Sequence, residues 1–136
     1  AKAMGARVIA CASSAEKLAH AAAHGADHGI DYSSGHFRDE VKALTGGRGA
    51  DVIIDSVGGA VTLESLRCIA REGRLVTIGY ASGDIPEVPI NYLMLKSASL
   101  LKPEVGPRFA LEQFSEAMTA IVERRAVGKV VLDMSL

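Results

Sequence analysis

The 136-residue sequence predicts an α/β fold, a doubly wound parallel sheet with helices packed on it. Three observations point there. Short apolar runs rich in β-branched residues alternate with segments of helical period, about 20–25 residues apart. The apolar runs are continuous, as in strands covered on both faces of a parallel sheet. Small residues and turn formers follow each run, where right-handed crossovers gather strand ends on one edge.

Each element has its own justification. Arg7–Ala12 (RVIACA) is the first strand, preceded by Gly5. Residues 14–24 follow as a helix, with Ser13 or Ser14 as N-cap and Gly25 as stop. His28–Asp31 is a weaker strand candidate. Residues 36–44 place Phe37, Val41 and Leu44 at helical spacing, and Gly46-Gly47 ends them. Asp51–Ile54 is the third strand, residues 60–70 a helix with Leu63, Leu66 and Ile69 on one face, and Arg74–Ile78 the fourth strand. A loop of mixed character runs from Tyr80. Ser97–Leu101 is a further strand candidate. Residues 111–123 form an amphipathic helix, with Leu111, Phe114, Met118, Ile121 and Val122 expected inward, and Lys129–Leu132 is a last strand. The whole reads as one layered unit, residues 1–136.

Composition narrows the function. Hydrophobic residues make up 49%, enough for an ordinary core, and the net charge is −1. Mixed charge of that size gives no field to attract nucleic acid or a membrane surface. No apolar run approaches the roughly 18 residues that cross a bilayer, and the start lacks a signal-peptide core. Cys11 and Cys68 stand apart from any CxxC or Cys/His cluster, so both are expected to be buried, reduced and structural, and no metal site is expected. His20 and His24 have the i, i+4 spacing of a metal clamp without a third ligand; a polar helix face is the reading.

The chemistry is expected at the strand ends. These are Ala12-Ser13-Ser14, Asp31-Tyr32, Asp55-Ser56-Val57-Gly58-Gly59 and Gly79-Tyr80-Ala81. Small residues there let an extended ligand approach the backbone and its N–H donors. Asp55 has two readings: a cap for the helix starting near Gly59, or a carboxylate beside a ligand. Ser13 and Ser14 stand where an NAD-binding unit carries an acid for the ribose 2′-hydroxyl. A carboxylate about 4 Å from a 2′-phosphate repels it by roughly 4 kcal/mol per charge pair at an effective dielectric of about 20. Serine removes that repulsion, and Lys17, one turn on, adds attraction. Glu16 points about 100° away from Lys17 around the helix.

Three stretches, AKAMGARVIACASSAEKLAHAAAHGADHGIDYS, TGGRGADVIIDSVGG and EGRLVTIGYASG, resemble the cofactor domain of medium-chain dehydrogenase/reductases. INYLMLKSASLL and RFALEQFSEAMTAIVERRAVGKVVL resemble that family's C-terminal section, so the likeness covers nearly the whole chain. The branch it points to is the zinc-independent quinone oxidoreductases, which use NADPH. The resemblance implies a Rossmann-like sheet and hydride transfer from NADPH to a small-molecule quinone or enone. It implies further that Ser13, Ser14 and Lys17 hold the adenosine 2′-phosphate and that Tyr32 lies beside the adenine ribose. Ser56, Val57 and Gly58 then fall near the coenzyme crevice, Gly79, Tyr80 and Ala81 pass the nicotinamide side, and Arg125 contacts the cofactor phosphates. A homodimer in the cytoplasm, with no nucleic acid or membrane partner, is expected. A non-catalytic α/β structural or interaction domain is the alternative; a methyltransferase is disfavoured, since it too wants an acid at Ser13.

Two features depart from the family pattern. No strand and glycine-rich turn (GxGxxG or AxxGVG) is present, so the sheet is expected to be incomplete, with exposed edges, and to bind a dinucleotide weakly by itself. At Leu101-Lys102 two segments abut that a long helix separates in the family, and Pro103 and Pro107 bar a helix there. No catalytic residue is assigned in this chain.

Overall fold

The computed structural model describes residues 1–102, 105–126 and 129–133. They form two compact units, Ala1–Leu100 and Leu101–Leu136. The division falls one residue from the juncture at Leu101-Lys102. Pro103 lies outside the described residues.

The first unit begins with strand β1 (Ile9–Ala12), helix α1 (Ala15–Ala23), strand β2 (His28–Asp31) and helix α2 (Phe37–Leu44). Ser14 is the N-cap of α1, its Oγ accepting from Lys17 N at 3.3 Å. β1 and β2 pair in parallel, Ile9 opposite His28 through Ala12 opposite Asp31. Lys2 binds Asp27, which also accepts from Val8 N at 2.7 Å, and this fixes the turn leading into β2. Strand β3 (Ala50–Asp55), helix α3 (Gly59–Cys68), strand β4 (Ile69–Thr77), helix α4 (Ile90–Lys96) and strand β5 (Ser99–Leu101) complete the unit. The sheet order is β3-β4-β5, with β3 and β4 parallel.

This is an α/β chain with parallel sheets, and it is partial. Among the described residues neither β1 nor β3 has a second neighbour: β1 pairs with β2 alone and β3 with β4 alone. The incomplete sheet expected from the sequence therefore shows as two sheets with open edges.

The core joins them all the same. Ile30, Phe37, Val41 and Cys68 form one buried cluster, with Ile9, Tyr32, Ala50 and Ile53 packed against it. Leu66, Ile69 and Leu75 form another, flanked by Ile53, Tyr92 and Leu93. Ile53 belongs to both. Each fully buried aliphatic side chain contributes roughly 1.5–3 kcal/mol. Gly49 sits between the clusters at φ +91°, and a Cβ there would meet the Cys68 carbonyl and lie 2.9 Å from Ile69 C.

Several expectations need correction. Strands covered on both faces were expected, but Val52 is 56% and Ile54 64% exposed. Only the side carrying Ile53 and Leu75 is packed under helices. β4 begins at Ile69, five residues before the expected start. Ala50 pairs with Ile69 and Val52 with Arg74, so β4 carries an irregularity in which Glu72 has φ 60°. Cys68 is buried and burial pushes its thiol up to about 11, but Cys11 is exposed. The helix α4 starts at the end of the expected loop, which ran to Asn91, and continues through residues 92–96, which the sequence left unassigned.

The second unit holds strand β6 (Val105–Ala110), helix α5 (Phe114–Val122) and strand β7 (Lys129–Asp133), with β6 and β7 parallel. β6 was not among the expected strands; the pairing shifts register between Val105 and Arg108, which accommodates the missing N–H of Pro107. The inward face of α5 also differs. Ala117 and Ala120 are buried, whereas Leu111, Phe114, Met118, Ile121 and Val122 are exposed. Two strands are too narrow to cover the whole apolar stripe.

Candidate functional site

The first unit ends its parallel strands in two groups of small residues. After β1 come Ser13 and Ser14. Ser14 Oγ caps α1, a nine-residue helix, and Lys17 stands in its first turn. Backbone donors at that helix start favour an anion. Glu16 lies in the same turn. After β2, Asp31 Oδ1 accepts from Ser33 N at 2.9 Å, and hydrogen bonds from Ser33 hold its carboxyl below the usual range. Tyr32 follows with its ring half-buried against the Ile30–Phe37 cluster, so it is anchored from below.

The second group is built differently. Asp55 is buried at the end of β3 and accepts from Val57 N at 2.8 Å and Gly58 N at 3.1 Å. Its other oxygen accepts from the Thr62 hydroxyl. Asp55 is therefore the cap of the β3–α3 turn, and both its oxygens are engaged within the fold. Thr62 was missed in the sequence; its place in the first helical turn after the glycines was the available signal.

Backbone bonds tie this turn to the loop after β4. Ala81 N donates to Ser56 O at 3.0 Å, Ser82 N to Val57 O at 2.9 Å and Gly59 N to Asp84 O at 3.0 Å. Ser56, Val57 and Gly58 are thus brought together with Gly79, Tyr80 and Ala81. Gly58 has φ +81°, and a Cβ there would lie 2.7 Å from Tyr80 Cδ1 and 2.8 Å from Asp84 O. Ser82 and Asp84 complete the junction; the Ser-Gly-Asp turn signature marked them only as loop.

Arg125 belongs to the second unit, where its Nε contacts Glu123 Oε2 at 2.6 Å.

Against this geometry the comparisons are specific. Residues 1–123 match the family described as zinc-binding dehydrogenase. The chain belongs to that family. "Quinone oxidoreductase-like protein 2" of Mus musculus is 38% identical over 160 residues, covering 95% of this chain and 46% of the relative. A Pseudomonas syringae quinone oxidoreductase structure matches with TM-score 0.69 and 28% identity, over 97% of this chain and 50% of that one. A mycobacterial protein solved with NADPH matches with TM-score 0.65 and 28% identity, over 93% of this chain and 49% of that one. The chain spans about half the length of the curated relatives it matches. It is a quinone oxidoreductase-like cofactor-binding domain of the medium-chain dehydrogenase/reductase superfamily, and its relatives are oxidoreductases.

The family description names zinc, but among the described residues no three His, Cys, Asp or Glu converge. His20 and His24 stack with ring centroids 4.3 Å apart, and His24 Nδ1 lies 2.8 Å from His20 O, so that nitrogen is occupied by the helix backbone. These residues do not fit a zinc site. A dinucleotide phosphate fits better: the end of β1 offers hydroxyls, an ammonium and helix N–H groups. Among the described residues no helix is long and apolar enough to cross a membrane.

Proposed function

We propose that the protein containing this domain transfers hydride from NADPH to a small-molecule quinone or enone, and that this chain holds the coenzyme. The observation that carries the reading is the end of β1: Ser13 and Ser14, with Lys17 one turn on, stand where an acid would select NADH. Bound there, NADPH supplies the hydride chemistry. The chain's residues do the holding. Ser13, Ser14 and Lys17 take the 2′-phosphate, and Tyr32, steadied by the core, flanks the ribose. Ser56, Val57 and Gly58, tied to Gly79, Tyr80 and Ala81, form a rigid wall that lets the coenzyme approach the backbone and keeps the nicotinamide facing the acceptor. Arg125 contributes to the phosphates in the complete protein. The relative solved with NADPH supports this choice of coenzyme.

The same reading makes the protein a cytoplasmic homodimer that works without zinc, as the quinone oxidoreductase branch does. Retention of the full-length protein on immobilised 2′-phospho-adenosine, lost in Lys17→Ala, is the expected result. Passage of the unmodified protein straight through the column contradicts it.

A further inference from the structure

Outside the strand ends, the helical layer carries a second concave site. α2 and α4 both pack on α3. Between them lies a cavity of about 460 Å³, within the range of small-molecule pockets. Arg38, Lys42, Arg67 and Lys96 line it, with Tyr92 and Leu95 as its apolar part and Asp39 as its acid.

The charges do not balance. Arg38 Nε lies 3.3 Å from Asp39 and 3.6 Å from Glu64, and Arg67 binds the same Glu64 at 2.6 Å. Two carboxylates are thus spent on the two arginines. Among the described residues neither Lys42 nor Lys96 has a carboxylate partner within ion-pair distance. Lys96 Nζ donates instead to the Ile69 carbonyl and, at 3.3 Å, to the Arg67 carbonyl. Burial and then the nearby Lys42 ammonium hold Lys96 below the usual lysine value.

Lysines in the last turns of helices complement the helix dipoles, and that alone explains one cation per helix end. It does not explain why two of them line one cavity with no carboxylate at ion-pair distance from either among the described residues. An anion between them removes that repulsion and gains charge-assisted bonds. Nucleic acid is a poor match, because the chain has a net charge of −1 and the positive region is one pocket rather than a stripe. The concave shape and the apolar surface of Tyr92 and Leu95 suit a small organic anion.

We infer that the pocket between α2, α3 and α4 binds a phosphate-bearing small molecule, at a site separate from the strand-end crevice. Its phosphate lies between Lys42 and Lys96, with Arg38 and Arg67 at the margin, and its organic part rests on Tyr92 and Leu95. The probe is inorganic pyrophosphate, titrated calorimetrically into the full-length protein at low salt, with and without NADPH. A saturable site is expected that NADPH does not displace, that survives Lys17→Ala and that weakens about tenfold in Lys42→Gln, the loss of one charge-assisted contact. Arg38→Gln serves as a second variant if Lys42→Gln lowers the melting temperature. No saturable binding overturns the inference. So does binding that Lys42→Gln and Arg38→Gln leave unchanged, or that Lys17→Ala abolishes, since the pyrophosphate would then occupy the crevice after β1. The lysine and arginine variants decide this even if NADPH proves not to bind.

Discussion

The turn after β1 and the turn after β3 sit at equivalent places in the fold and are made of opposite materials. After β1 the groups proposed to work are side chains: two hydroxyls and an ammonium, tied to the fold by one cap bond of 3.3 Å. After β3 the working group is the backbone itself. It is gripped by buried Asp55, stitched to the loop after β4 and closed around a glycine with no room for a Cβ. In the proposed reading, selectivity can change at Ser13 and Lys17 with little cost to the fold, since the side-chain tie described at this turn is the Ser14 cap. The second turn supplies shape, and shape cannot be altered one atom at a time.

Substitutions should expose that contrast. The largest effect is expected from Gly58→Ala. It adds a Cβ against Tyr80 and Asp84 at a positive φ, and should cost roughly 2–4 kcal/mol in chemical denaturation of the full-length protein. Affinity for NADPH and NADH should fall together, because a wall is displaced rather than a charge. Asp55→Ala comes next. It strands the Val57 and Gly58 donors and the Thr62 hydroxyl, and should cost roughly 1–3 kcal/mol. Ser14→Ala removes only the α1 cap and should cost about 0.5–2 kcal/mol by the same assay. Equal costs for Ser14→Ala and Gly58→Ala would erase the distinction between the turns.

The smallest expected effect is a pH dependence on the side-chain-built half of the unit. Asp27 is held below its ordinary value of 3.8, chiefly by the hydrogen bond from Lys2 and then by Val8 N–H. A carboxyl lowered on folding stabilises fully above its unfolded value and loses that contribution as pH falls through its folded one. Stability measured from pH 5 downward should therefore decline more steeply in the unmodified protein than in Asp27→Asn. Parallel curves would show that the pair adds nothing.

Much of the first unit was legible because its signals are local. Ser14 before Ala15, Gly46-Gly47 after Leu44 and the apolar run at Val52–Ile54 each act within a few residues. What was not legible depended on neighbours. The continuous run in β3 reads as buried on both sides, yet Val52 and Ile54 are exposed because nothing in the sequence says which layers are present. The stripe on α5 gave the right helix and the wrong buried face, since a two-stranded sheet meets only Ala117 and Ala120. Pro107 barred a helix, and β6 takes its place with a register shift around it. At the site, residue type narrowed the α1 cap to Ser13 or Ser14, and the structure makes it Ser14. Asp55 kept two readings until its three donors were seen, and the bonds joining residues 56–59 to 81–84 carry no sequence signature because they are backbone to backbone.

The most direct test is a paired titration of the full-length protein and its Lys17→Ala variant with NADPH and with NADH. The unmodified protein is expected to bind NADPH more tightly, and Lys17→Ala to lose about tenfold for NADPH, near 1.4 kcal/mol, while NADH is unchanged. Tighter binding of NADH by the unmodified protein, or an equal loss for both coenzymes in the variant, would contradict it.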